Sequence, residues 1–158
     1  MIVRTTDEPI PAVIPGEFVG QRNIKVHPGS TLAAKVLVFK HPTALRKFWR
    51  ESMGIKLERA CRGVVTPLWT EIIDTETDKA FFVVDRRFFC VMGLTLGNLS
   101  MEIITHESVH AGCAYARRKA RSPWDEHILS HDEEAICYPA GRIAAEINRW
   151  VHAEGWYE

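Results

Sequence analysis

The chain has 158 residues, 46% of them hydrophobic, which suits one compact domain with an apolar core and leaves too little for a second. Lysine plus arginine balances aspartate plus glutamate at 20 each, so no global field draws the protein towards nucleic acid or an anionic membrane. No apolar run approaches the roughly 20 residues of a membrane span, no two of the 4 cysteines form a Cys-x-x-Cys pair, and Met1 opens no secretory leader, so a soluble, cytoplasmic protein with free thiols is expected.

Residues 1–31 carry Pro9, Pro11, Pro15 and Pro28 with little periodicity, which predicts an irregular N-terminal arm. Residues 34–39 (Ala-Lys-Val-Leu-Val-Phe) read as a strand. Residues 42–53 read as an amphipathic helix that Pro42 opens, with Leu45, Phe48 and Trp49 on one side, and Gly54 stops it. Three β-rich stretches follow at 64–73, 80–84 and 88–94, with polar turns at 74–79 and 85–87. Connections this short predict an antiparallel meander.

Residues 99–118 run without a breaker until Gly112 and predict a long helix. Leu99, Ile103, His106, His110 and Cys113 share one face, while Ile104, Ala111 and Tyr115 lie on the other. A helix apolar on both sides is expected between two layers. The basic run Arg117-Arg118-Lys119-Ala120-Arg121 sits at its end, where the helix dipole favours positive charge, and this reading is preferred to a nucleic-acid contact.

The same helix carries His106-Glu107-Ser108-Val109-His110. Imidazoles at i and i+4 face one way, and the glutamate projects about 100° further around the axis. That spacing suits a zinc ion held by His106 and His110, with Glu107 close enough to take a proton from a water without binding the metal.

A catalytic zinc needs a third protein ligand, which must lie downstream. Ser130 and Glu133 have capping-box spacing, which gives Glu133 a structural task and leaves Glu134 for the metal. Ile136, Ala140, Ile143, Ile147 and Trp150 form the core stripe of a second helix. Glu134 lies opposite that stripe with Tyr138, and small residues there, Gly141 and Ala145, would let a partner helix or a substrate approach closely. Pro139 should kink this helix. His127 and His131 compete with Glu134 as ligands, and Cys113 is a further thiolate candidate more simply read as a small buried hydrophobe. Tyr138 and His131 are candidate donors to the charge that develops on a substrate oxygen, Tyr138 being preferred.

With these features the chain resembles gluzincin-type metallopeptidases, in which His-Glu-x-x-His is followed by a Glu on a later helix. In outline it is most similar to the ImmA/IrrE family, whose second motif, Glu-Ala-Asn-x-Phe-Ala, has its counterpart in Glu134-Ala135-Ile136-Cys137-Tyr138-Pro139. Ile136 stands in place of the family's Asn, Tyr138 in place of its Phe, and Val109 in place of the Gly common in the first motif. The resemblance covers residues 80–150 and implies a minimal zincin. The expected fold is α+β, a single domain over residues 1–158, with a small antiparallel sheet packed against the active-site helix and a second ligand-bearing helix. The expected activity is peptide-bond hydrolysis with Zn2+ as cofactor and a peptide or protein as substrate. The rival expectations are a catalytically inactive zincin-like binding or regulatory module from a phage or mobile element, a nucleic-acid-associated regulator, and a metal-free helical interaction protein.

Overall fold

The structure, a computed structural model, describes residues 2–6, 18–74, 76, 79–120 and 133–157. The fold is α+β. Strands β1 (Ile2–Thr6), β2 (Phe18–Lys25) and β3 (Ala33–Phe39) lead into helix α1 (Pro42–Ser52). Strands β4 (Gly63–Pro67), β5 (Trp69–Asp74), β6 (Lys79–Asp85) and β7 (Phe88–Thr95) follow, then a 3-10 turn (Leu96–Asn98) and the helices α2 (Met101–Lys119) and α3 (Glu133–Ala153). Among the described residues no helix is long and apolar enough to cross a membrane.

Two sheets divide the expected meander: β5 and β6 form its antiparallel hairpin, while β7 joins the other sheet. The larger has the order β2-β3-β7-β4 and is mixed, because β3 and β7 run parallel while the outer pairs run antiparallel. The smaller has the order β1-β6-β5. The stretch at 64–73 is divided by Pro67, which lacks an N–H for a ladder. Leu68 then donates its N–H to the Phe89 carbonyl at 3.0 Å and accepts from the Asp85 N–H at 3.2 Å, and the chain crosses between sheets there. Asp85 turns the chain between β6 and β7 by accepting from the N–H groups of Arg87 (2.7 Å) and Phe88 (2.8 Å) through Oδ1.

The N-terminal arm is also more regular than composition suggests. β2 pairs with β3 and β1 pairs with β6, while Pro9, Pro11 and Pro15 lie outside the described residues. In β2 only Ile24 is buried. Such a strand shows no apolar alternation, because its backbone hydrogen bonds stabilise it without a buried face.

The larger sheet is covered on both faces, which explains the continuous apolar runs of β3 and β7. Ala34, Val36 and Val38 join Met92 and Leu94 against Ile104 and Ala111 of α2 and Ile143 and Ile147 of α3. Leu37, Phe39 and Val91 meet Leu45, Phe48 and Trp49 of α1 on the other face. Gly93 admits α1: a Cβ there would come within 2.6 Å of Trp49 and closer still to Leu45. Trp49 Nε1 donates to Thr66 Oγ1 at 2.8 Å and ties α1 to β4.

His41 caps α1, its Nδ1 accepting from the Ala44 N–H at 3.2 Å. The cap leaves one fewer orphan donor in the first turn, so His41→Ala should lower stability by about 1 kcal/mol in urea denaturation. An unchanged midpoint would show the cap to be idle.

α2 begins after Ser100, whose Oγ accepts from the Ile103 N–H at 3.2 Å. Its basic end partly serves the fold. Arg118 Nη2 donates to the Asp85 carbonyl at 3.2 Å, and Lys119 Nζ lies 5.8 Å from the centre of the Tyr115 ring. α3 runs antiparallel to α2, its Ile136 and Ala140 against Gly112 and its first turns beside Ala116 to Ala120. It continues through Pro139 without interruption. Ala140, Ile143, Ile147 and Trp150 of the expected stripe are buried, and Ile136 is half-buried. The close approach of the two helices is at Gly112, not at the expected Gly141, whose missing Cβ would meet nothing within 4 Å among the described residues.

Candidate active site

α2 rests on the sheet through Ile104, Ala111 and Ala114 and meets α3 at Gly112. The two-layer burial expected for it therefore involves the sheet and α3, and the histidine face remains open: His106 and His110 are both exposed. Their Nε2 atoms lie 3.2 Å apart, and the rings stand 4.8 Å apart at 74°. Partial desolvation against the helix, reinforced by the neighbouring His106, lowers the pKa of His110 and favours the neutral ring that binds metals.

The pair fits zinc. Two nitrogens about 2.05 Å from one tetrahedral ion are separated by about 3.3 Å, because they form one edge of its coordination polyhedron. The observed separation is close to that edge, and it is also the distance of a hydrogen bond between the two rings.

Glu107, by contrast, is 5% exposed. It points between α2 and the first residue of β4, where an ideal Cβ on Gly63 would lie 2.7 Å from its Cγ. Burial raises the carboxyl pKa, and the His106 charge opposes the shift. A cleft of 360 Å³ opens here, with Glu107 and His106 on the α2 side and Ala60, Arg62 and Gly63 on the other. Cys61 donates from Sγ to the Gly63 carbonyl at 3.0 Å, and its pKa is raised by burial and then by Glu107. Neither Gly63 nor Arg62 was singled out by motif or periodicity. The available signal was a glycine at a strand's start, a frequent mark of close backbone approach.

The other expected site residues lie elsewhere. Glu134 and Tyr138 line a separate cleft of 460 Å³ with Tyr115, Lys119, Pro139 and His27. Tyr138 is 74% exposed there. Along α2 this cleft is level with Ala116, six residues past His110, which is about 9 Å by helix rise. Cys113 is half-buried and lines neither cleft. Among the described residues no group of three or more His, Cys, Asp or Glu comes together to hold a metal. His127, Ser130 and His131 lie outside the described residues.

β7 is hydrogen-bonded to β3 on one side and β4 on the other, so among the described residues the strand beside the cleft at the edge of this sheet is β4. No family model matches the sequence, and neither the curated proteins nor the solved structures offer a match.

Proposed function

We propose that the protein is a zinc-dependent peptide hydrolase in which His106 and His110 hold the metal and Glu107 is the general base. The reading is supported above all by the 3.2 Å between the two Nε2 atoms, which suits a single ion bound by both rings. When bound, zinc supplies Lewis acidity and shifts the ionisation of a coordinated water towards neutrality.

Glu107 is suited to move the proton. Its buried carboxyl has a raised pKa, so it takes a proton from water more readily than a solvated glutamate would. The hydroxide left when Glu107 takes the proton from water attacks the peptide carbonyl, and Glu107 then protonates the departing nitrogen. An extended peptide added to the free edge of β4 would pass the cleft that Glu107 and His106 line.

Glu134 is the preferred third ligand, with Glu133, His127 and His131 as its competitors. Glu134 would require the start of α3 to move towards the histidine pair, because it now lines the other cleft. Metal content decides. Protein purified without chelator should carry one zinc per chain, and His106→Ala should carry none. Of Glu134→Ala, Glu133→Ala, His127→Ala and His131→Ala, the variant that loses zinc identifies the ligand; zinc-free wild-type protein would overturn the proposal.

A second reading has its own support. Only two ligands converge among the described residues, which would suit a zincin-like binding module without catalysis. Such a module would be indifferent to Glu107→Gln.

A further inference from the structure

We infer that Gly63 is a positioning residue for the general base, because the space left by its missing side chain is where the Glu107 carboxyl lies. An ideal Cβ on Gly63 would sit 2.7 Å from Cγ, 3.0 Å from Cδ and 3.0 Å from Oε1 of Glu107. Carbon atoms in favourable contact stand about 3.5–4.0 Å apart, so a methyl group and the carboxyl cannot both occupy this place. The inference rests on the assignment of Glu107 as the base made above.

Conformational freedom does not account for the glycine. Among the described residues the glycines with positive φ are Gly54 and Gly155, and Gly63 is an ordinary strand residue. The backbone on either side is also held in place. Gly63 pairs with Leu94 and Val64 with Gly93 in the ladder to β7, and Thr66 is tied to Trp49. α2 is packed against the sheet and against α3 at Gly112. The side chain of Glu107 is therefore the part that yields, and the cleft it borders with His106 is the open space into which it would turn.

The test uses Gly63→Ala, with Gly97→Ala as the control, since among the described residues a Cβ at Gly97 meets nothing within 4 Å. Carbodiimide labelling of carboxyl groups, read by mass spectrometry, should modify Glu107 weakly in wild type and Gly97→Ala and strongly in Gly63→Ala. Melting temperatures should show Gly63→Ala to be destabilising beside Glu107 and neutral in a Glu107→Ala background, because the colliding atoms are then gone. Zinc content should be unchanged, and turnover of fluorescein-labelled casein should fall about 100-fold with KM retained, the usual scale for a misplaced catalytic group. Equal labelling of Glu107 in all three proteins, or an equal cost of Gly63→Ala in both backgrounds, would overturn the inference. Zinc-free wild-type protein that leaves casein intact would instead overturn the hydrolase assignment, whatever the labelling shows.

Discussion

Replacing Glu107 by Gln is expected to leave zinc bound, reduce peptide cleavage by about 100-fold to 10,000-fold, and make the chelator-treated protein more stable at neutral pH. The first two effects follow from an amide that keeps the shape of the side chain but cannot take a proton. The third follows from burial. The folded-state pKa of Glu107 is raised above its ordinary value of 4.5, so the folded protein holds this proton more tightly than the unfolded chain does. Below about pH 4 the carboxyl is protonated in both states and the substitution should be near neutral. As pH rises through the window between 4.5 and the raised value, the wild type loses stability that Gln does not lose, and above the window the difference is complete. Urea denaturation of both proteins at pH 4 and pH 7 reads the difference. Unchanged cleavage would remove Glu107 from the chemistry, and a gain that is larger at the lower pH would contradict its burial as the cause.

Gly112→Ala is expected to destabilise the protein by about 1–3 kcal/mol, the usual cost of overpacking. A Cβ on Gly112 would lie 2.6 Å from the Ile136 carbonyl oxygen and 3.0 Å from the Ala140 Cβ. Both belong to the helix opposite, and a backbone carbonyl cannot rotate aside as a side chain can, so α2 and α3 must separate along their contact. The cost should appear in the denaturation midpoint. Gly141→Ala provides the comparison: with nothing within 4 Å among the described residues, it should stabilise α3 by about 1 kcal/mol through helix propensity. A Gly112→Ala protein as stable as wild type would mean that the helices adjust freely, and the position of α3 relative to the histidines would then be less constrained than their packing implies.

Local signals identified the elements that carry their own pattern. Pro42 and the spacing of Leu45, Phe48 and Trp49 mark α1, and all three apolar residues are buried. The stripe from Ala140 to Trp150 marks α3 in the same way. Both depend on one helix having one buried face, which a 3.6-residue period records directly. β2 left no such record, since only Ile24 in it is buried and its stability comes from backbone pairing to β3. The strand partners were equally hidden. β7 looked ready to follow β6 in a meander, yet it pairs in parallel with β3, and nothing in its uniformly apolar run distinguishes the two arrangements.

The candidate site divides along the same line. His106, Glu107 and His110 stand on one helix, so their spacing alone dictates that two rings converge and that the carboxyl projects to the side; their relative geometry follows from helix pitch. Whatever must come from another element was decided by packing across the chain. Gly112 against Ile136 places the start of α3, and with it Glu134 and Tyr138, at a cleft separate from that of His106. The β3–β7–β4 ladder brings Gly63 against Glu107, buries the carboxyl and leaves β4 at the sheet's edge. These relations join residues dozens of positions apart, and they depend on which surfaces fit when the helices settle on the sheet, a property that no short stretch of sequence contains.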